Sequence, residues 1–171
     1  MKNKKKAPAL CAALILSLVS LTFSACGSSA QTEAFGDKTC TIAIDCTVLL
    51  DQMDHVKETK RDFVPSDGII LAETEVSFSE GESVYDVLYR VCRDKDIHIE
   101  ASFTPLYNAY YVEGIHQLYE FDAGELSGWT YEVNGEFPNY GCSQYEVGEG
   151  DVIKWHYTCD LGRDVGGDLD D

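Results

Sequence analysis

Two aromatic pairs stand at period-two spacing in the C-terminal half of the chain: Trp129 with Tyr131, and Trp155 with Tyr157. Residues two apart on a strand share one face of a sheet, so each pair presents neighbouring rings to one side. Such rings can stack on a planar ligand. They can equally form core and cross-strand pairs. The spacing therefore predicts either a platform for a flat ligand or the centre of a hydrophobic core.

Further aromatic and amide side chains stand in segments predicted to be loops. Some follow the Asn134-Gly135 pair, and others belong to a tyrosine-rich stretch before it. Exposed tyrosines provide contact area at a low entropy cost, although packing over the sheet is an equal alternative. The candidate ligand-binding residues are Trp129, Tyr131, Phe137, Asn139, Tyr140, Trp155, Tyr107 and Tyr110.

Residues typical of catalysis or metal binding lack the necessary spacing. None of the four histidines, His55, His98, His116 and His156, has a histidine three or four residues away. We interpret each as a surface or strand residue, and an axial ligand to a metal-containing ligand is the alternative. The chain has no Gly-x-Ser-x-Gly, His-Glu-x-x-His or phosphate-loop motif, and its C-terminal aspartates do not follow the EF-hand pattern. We expect no enzyme activity and no metal site.

Hydrophobic periodicity predicts the elements that position these residues. Apolar residues alternate over Thr39 to Leu50, which predicts a strand, and a long connection over Asp51 to Asp67 leads to a second strand from Ile69 to Phe78. Ser83 is a candidate N-cap with Asp86 three residues later. A helix with one apolar face follows, formed by Val84, Val87, Leu88, Val91 and Cys92.

The rest of the chain predicts short strands and turns. The predicted segments are Ile97–Phe103, a hairpin-like Leu106–Val112, Gly114–Phe121, Trp129–Val133, a returning arm at Glu136–Tyr140, and Val152–Thr158. The Asn-Gly pair favours the positive φ angles of a type I′ turn. The element order predicts an α+β fold: a β-grasp-like mixed or antiparallel sheet with one amphipathic helix packed on one face.

The N-terminal segment has the features of an export signal. Four lysines precede an uncharged apolar run from Ala7 to Phe23, and two small residues come directly before Cys26. Phe23-Ser24-Ala25-Cys26 resembles a bacterial lipobox, in which the cysteine receives lipid. An uncleaved anchor helix and a plain secretory signal are the alternatives. We expect a signal peptide at 1–25, a flexible tether at 26–38, one domain at 39–160 and an acidic tail at 161–171.

The charge balance excludes two classes of partner. The chain has a formal net charge of −17. Residues 1–25 hold four of the 13 basic residues and none of the 30 acidic ones, so the remainder carries −21. This negative charge argues against binding of nucleic acid, because a protein that binds nucleic acid must neutralise its phosphates. It also argues against direct binding to an anionic membrane surface.

Three motifs resemble a known family. They are the Gly81–Leu88 helix start, Gly128-Trp129-Thr130-Tyr131-Glu132-Val133-Asn134-Gly135, and the segment Gly148–Thr158. Over roughly Cys40 to Gly166 the chain resembles the transcobalamin-like C-terminal domain family, found in exported proteins of Gram-positive bacteria. The resemblance implies the fold of the small β-domain of cobalamin carriers, and it suggests a corrinoid or another flat ligand. Those carriers bind cobalamin mainly through a helical domain, for which we find no room in this chain.

Five cysteines remain after the signal once the predicted lipid acceptor Cys26 is set aside, which is an odd number. Cys40, Cys46, Cys92, Cys142 and Cys159 leave one thiol without an internal partner. An oxidising compartment favours disulfides. We expect Cys142 to pair with Cys159, and Cys92 to pair with Cys46 or Cys40.

Together these observations predict a lipoprotein held at the extracellular face of the cell membrane by lipid on Cys26. The first functional hypothesis is a non-catalytic binder of a small ligand, with cobalamin or another corrinoid as the leading candidate. The alternative is a cell-surface interaction or adhesion module that binds an envelope protein and no small ligand.

Overall fold

The computed structural model describes residues 36–167. The predicted signal peptide, Cys26, most of the tether and residues 168–171 lie outside this part. In chain order the strands are β1 (Lys38–Asp45), β2 (Ile69–Phe78), β3 (Ile99–Thr104), β4 (Ala109–Ile115), β5 (Leu118–Tyr119), β6 (Gly128–Val133) and β7 (Val152–Thr158). One helix, α1 (Val84–Asp94), lies between β2 and β3. This confirms the predicted α+β class.

The strands form two sheets. The larger is mixed and has the order β2-β1-β7-β6. Its central pair, β1 and β7, is parallel, whereas the outer pairs are antiparallel. The smaller sheet is antiparallel and has the order β3-β4-β5. No helix within residues 36–167 has the length and apolar character that a membrane span requires.

Alternating burial on the central strands builds the core. Ile42 and Ile44 on β1, and Ile153, Trp155 and Tyr157 on β7, are almost completely buried. The five apolar residues of α1 identified from the sequence are buried in the same cluster. The period-two and helical patterns therefore converge on one core.

The predicted start of α1 is confirmed. Ser83 is the N-cap, and its hydroxyl accepts a hydrogen bond from Asp86 N at 3.2 Å. Asp86 Oδ2 in turn accepts from Ser83 N at 2.9 Å. This reciprocal capping box satisfies two backbone donors that a helix start would otherwise leave open.

The first strand ends earlier than the alternation predicted. β1 stops at Asp45, and Thr47–Asp51 forms a 3₁₀ helix. Asp45 Oδ1 accepts hydrogen bonds from Thr47 N at 3.1 Å and from Thr47 Oγ1 at 2.7 Å. Because this local bonding competes with the strand ladder, it turns the chain although apolar residues continue.

The predicted strand Gly114–Phe121 is interrupted by a tight turn. His116 and Gln117 have φ values of 52° and 66°, so β4 ends at Ile115 and β5 contains only Leu118–Tyr119. Positive φ at both central positions is the geometry of a type I′ hairpin turn. His-Gln is not one of the sequences that signal it, so the turn was not predicted.

The hairpin after β6 is shorter than predicted. Asn134 and Gly135 have φ values of 56° and 84°, which confirms the predicted turn geometry. The prediction of a returning strand at Glu136–Tyr140 was wrong, because only Glu136 pairs back, with Val133. The chain then leaves the sheet as a loop.

Residues after β7 are held against the sheet. The carboxylate of Asp164 accepts hydrogen bonds from Thr158 Oγ1 and, at 2.7 Å, from Cys159 N. Arg163–Val165 forms a 3₁₀ helix, and Leu161 N donates to Leu126 O at 3.1 Å. These bonds fix the part of the chain that follows the last strand up to Gly167.

The cysteines of residues 36–167 are all free thiols. Neither Cys142 with Cys159 nor Cys92 with Cys46 or Cys40 forms a disulfide in the structure. Cys46, Cys92 and Cys142 are buried, and burial raises the pKa of each thiol to about 12. A neutral buried thiol behaves as a small apolar side chain.

We predict that Ser83→Ala lowers the free energy of unfolding by about 1 kcal/mol, because the mutation removes the cap acceptor of α1. Urea unfolding followed by circular dichroism measures the change. The control is Ser102→Ala, at an exposed position on β3. Equal stability of the two variants would contradict the capping role.

A second prediction concerns alkaline pH. The pKa of Cys92 is raised from an ordinary value of 9.0 to about 12, so the folded state holds this proton more tightly than the unfolded state. The associated stability is full below pH 9.0 and is lost progressively as pH rises towards about 12. Between about pH 8 and about pH 10.5, wild type should therefore lose about 1–2 kcal/mol more than Cys92→Val. Urea unfolding at both pH values measures this, and equal losses in the two proteins would contradict it.

Candidate ligand-binding groove

An open groove of about 610 Å³ lies between β4, β6 and the loop at residues 138–144. We call it the aromatic groove. The residues that line it come from both sheets and from the turn between β3 and β4. They are Thr104, Tyr107, Ala109, Tyr110, Tyr111, Val112, Trp129, Thr130, Tyr131, Pro138, Asn139, Tyr140, Gly141, Cys142, Gln144 and Trp155.

The groove changes from a buried floor to an exposed rim. Trp129, Tyr131 and Trp155 are buried at 9%, 7% and 2% exposure, whereas Tyr140 and Tyr107 at the rim are 47% and 70% exposed. The floor rings belong to the hydrophobic core and line the groove as well. The two interpretations of the strand aromatics are therefore compatible.

One wall is built on Tyr110 of β4. Its ring stacks on Tyr85 of α1, with the centroids 4.3 Å apart and the planes 6° from parallel. Phe103 of β3 meets the same ring edge-on at 5.5 Å. Contacts with rings from two different elements hold Tyr110 in place, so it forms a rigid surface.

A second group of rings supports the floor and the rim. Tyr131 lies against Trp155 at 5.5 Å and meets Tyr145 edge-on at 6.5 Å. Tyr145 stacks on Tyr140 at 6.0 Å, with the planes 11° from parallel. Tyr145 does not line the groove itself, but it connects a floor ring to a rim ring.

Hydrogen bonds fix the loop that closes one side of the groove. Tyr131 Oη donates to Tyr140 O at 2.9 Å, and Gln144 Nε2 donates to Tyr107 O at 3.2 Å. Ser143 Oγ accepts from Tyr110 N at 2.9 Å. The loop is therefore joined to the floor, to the opposite rim and to β4.

The two indole N–H groups of the floor differ. Trp129 Nε1 donates to Leu118 O at 2.9 Å. Trp155 Nε1 is buried and has no hydrogen-bond partner among residues 36–167. An unsatisfied buried donor is costly, so native structures almost always supply a partner from protein, water or ligand.

The lining is electrically neutral. None of the groove residues within the described chain carries a charged side chain, although the whole protein has a net charge of −17. Its polar groups are tyrosine and threonine hydroxyls together with the amides of Asn139 and Gln144. These groups recognise neutral hydrogen-bonding partners and give no ionic attraction to a charged ligand.

The structure brings seven of the eight sequence candidates together around the groove: Trp129, Tyr131, Asn139, Tyr140, Trp155, Tyr107 and Tyr110. The eighth, Phe137, lies elsewhere, with its ring 6.2 Å from His156. His156 alternates with Trp155 along β7 and so lies on the other face of the sheet. Thr104 and Gln144 also line the groove but were not predicted. Thr104 is the last residue of β3 and Gln144 lies in a loop, so neither belongs to a periodic pattern that indicates the groove.

None of the four histidines lines the groove. His156 Nδ1 lies 2.7 Å from Asp45 Oδ2, and His98 Nε2 lies 3.2 Å from Tyr119 Oη. In the described residues, no group of three or more His, Cys, Asp or Glu side chains is arranged to hold a metal ion. The polar chemistry of the groove is therefore that of hydroxyl, amide and indole groups.

The fold and the groove define an α+β domain with a neutral groove lined by aromatic rings. A family model described as a domain of unknown function, DUF4430, matches residues 81–159, which is slightly less than half of the chain. The match includes α1, the turn between β3 and β4, the loop at 138–144 and β7, and thus every element of the groove.

Two solved structures are similar to part of the chain at low sequence identity. One is a candidate metal-binding protein from Ruminococcus gnavus, with 13% identity and a TM-score of 0.43, covering 71% of this chain and 97% of that one. The other is haptocorrin in complex with Cbi, with 13% identity and a TM-score of 0.49. That alignment covers 72% of this chain but only 26% of haptocorrin. No curated protein sequence matches the chain.

We predict that Tyr131→Phe loosens the groove loop, because it removes the donor to Tyr140 O. The expected loss in the free energy of unfolding is about 1 kcal/mol, with faster amide hydrogen exchange across residues 138–144. Tyr140→Phe is the control, since it keeps the carbonyl and changes only an exposed rim hydroxyl. Unchanged exchange in Tyr131→Phe would contradict this role.

Proposed function

We propose that this domain binds a small, uncharged ligand with a flat apolar face in the aromatic groove, without catalysis. The observation that carries the proposal is the buried indole N–H of Trp155, which has no acceptor among the described residues, on the floor of a neutral aromatic site. Because this N–H is fully buried, a ligand oxygen or nitrogen would reach it only when the rings around it move aside, and would then complete the hydrogen bonding of the floor. A site built around a few convergent polar groups in an apolar lining is typical of small-ligand binding.

We further propose that this ligand is a corrinoid. A corrin ring is flat and carries uncharged amide arms, which suit tyrosine faces and the amides of Asn139 and Gln144. The groove volume of about 610 Å³ lies within the range of small-ligand sites. The resemblance of Gly128–Gly135 and Gly148–Thr158 to transcobalamin-like domains also supports this choice.

An open groove would cover one face of such a ring. The other face would remain available to solvent or to a partner protein. This arrangement suits transient capture or handover better than full enclosure, because the rim residues Tyr107 and Tyr140 remain well exposed.

We also propose that the protein is exported and anchored to the outer face of the cell membrane through Cys26. The lipobox-like Phe23–Cys26 segment and the apolar run before it support this. Mass spectrometry of the mature protein should find a diacylated N-terminal Cys26, and Cys26→Ala should release the protein from the membrane fraction. An unmodified N-terminus beyond Cys26 would refute the anchor.

A cell-surface interaction module is the second candidate. Leu106 and Tyr107, on the turn between β3 and β4, are 82% and 70% exposed. Adjacent apolar residues with such exposure are typical of a surface that contacts another protein. In that case Leu106→Ser would abolish capture of an envelope protein, and no small ligand would bind the groove.

Titration calorimetry with cobinamide and with cobalamin tests the groove. Trp155→Phe should weaken binding about 10-fold, the equivalent of one hydrogen bond. Tyr107→Ala should also weaken it, because it removes a rim ring. Tyr89→Ala is the matched control, since Tyr89 is 42% exposed on α1 and lies outside the groove.

The outcomes test the ligand class and the location of the site separately. Absence of binding of either compound at about 100 μM would contradict the proposal that the ligand is a corrinoid. Binding that Tyr89→Ala weakens as much as Trp155→Phe would place the ligand outside the groove. Binding weakened by the two groove variants alone supports both the site and the ligand class.

A further inference from the structure

Three large apolar side chains are exposed on neighbouring turns near β6 and β7. Phe121, Leu126 and Leu161 are 54%, 45% and 48% exposed. Backbone hydrogen bonds bring their segments together: Phe121 N donates to Ser127 O at 3.0 Å, and Leu161 N donates to Leu126 O at 3.1 Å. We call these three residues the distal patch. None of them lines the aromatic groove.

The distal patch lies at the end of the larger sheet opposite to the point where the chain enters it. The chain enters β1 at Lys38, and β7 runs parallel to β1. Thr158, at the end of β7, pairs with Gly128 at the start of β6. Leu126 and Leu161 directly flank this pair.

Two residues of the patch occupy a strained backbone conformation. Phe121 has a φ of 64° and Leu161 a φ of 51°, in the left-handed region that bulky residues rarely adopt. Glycine occupies this region in the same two turns, at Gly124 with φ 117° and Gly162 with φ 93°. Glycine or asparagine would therefore be less strained at 121 and 161 as well. Exposed bulky residues kept at strained positions indicate a function other than folding.

The surroundings of the patch are acidic. The segments 120–127 and 159–165 together contain five carboxylates and one basic residue, Arg163, which pairs with Asp160 at 3.3 Å. Asp122 is neutralised by Lys57 and Lys60, at 3.1 Å and 3.5 Å. Glu125 is exposed next to Leu126 and has no ion-pair partner among residues 36–167. An apolar centre with an acidic border complements apolar residues flanked by lysine or arginine.

We propose that the distal patch is a docking site for a protein segment that presents apolar side chains flanked by basic residues. Their exposure leaves Phe121 and Leu161 available for contact. The carboxylate border selects the charge of the partner and disfavours a second copy of this acidic chain. This surface is separate from the aromatic groove, so a partner could bind while the groove holds its ligand.

The first test uses synthetic peptides as probes and the complete chain as the receptor. The probes are an amphipathic 18-residue peptide of leucine and lysine, the same peptide with glutamate for lysine, and the same peptide with serine for leucine. Fluorescence anisotropy should show micromolar binding of the leucine–lysine peptide and at least about 10-fold weaker binding of the other two. Absence of binding, or equal binding of the glutamate or serine peptide, would overturn the proposal.

The second test separates docking from folding. Phe121→Asn with Leu161→Asn relieves the backbone strain and removes the apolar contacts, so the double variant should melt at a higher temperature and bind the leucine–lysine peptide at least about 10-fold more weakly. Tyr89→Asn, at a comparably exposed position on α1, should leave peptide binding unchanged.

Three results of the second test contradict the proposal. Undiminished binding by the double variant would assign the peptide to the acidic surface in general. A lower melting temperature would give the two residues a structural role. Self-association of wild type that the double variant abolishes in sedimentation equilibrium would assign the patch to a second copy of the chain.

Discussion

A layer of four aromatic rings on β6 and β7 joins the parts of this domain. Trp129 meets Tyr157 edge-on at 5.3 Å, and Tyr131 lies against Trp155 at 5.5 Å. Tyr157 Oη donates to Tyr119 O at 2.7 Å, and Trp129 Nε1 donates to Leu118 O. These two bonds attach the larger sheet to β5 of the smaller one. The rings thus close the core, connect the sheets and provide the groove floor.

The neutrality of the groove is a second constraint. Carboxylates dominate the chain, yet the groove is lined by hydroxyl, amide and aromatic groups. Burying an unpaired charge beside aromatic rings is costly, so the floor can hold only neutral groups. Recognition at the groove must therefore depend on shape, stacking and a few hydrogen bonds. The carboxylates lie elsewhere on the surface, as around the distal patch.

The sequence predicted the elements whose periodicity and boundaries are both local. The α1 face and its Ser83 cap, the Asn134 turn and β7 are set by residues close in sequence. The strand aromatics were recognised as candidates for the same reason. The predicted end of β1 was wrong. Asp45 accepts a hydrogen bond from Thr47 N, and this local bond ends the strand although the apolar alternation continues.

Other features depend on contacts distant in sequence. Gln144 reaches Tyr107 across 37 residues, so no local pattern indicated that it would join the groove rim. Thr104 is brought there by the turn before Ala109. The missing partner of Trp155 Nε1 depends on everything packed around it and appears only in three dimensions. The distal patch was equally hidden, because Phe121 and Leu161 are 40 residues apart.

The two tryptophans allow the most direct test of whether the aromatic groove is the ligand site. In a ¹⁵N–¹H correlation spectrum of the labelled protein, each indole gives its own Nε1–H signal. On addition of cobinamide, the Trp155 signal should shift because of a new hydrogen bond, while the Trp129 signal should change much less because that N–H is already bonded to Leu118 O. Saturating binding that leaves the Trp155 signal unmoved would contradict the claim that the aromatic groove is the ligand site.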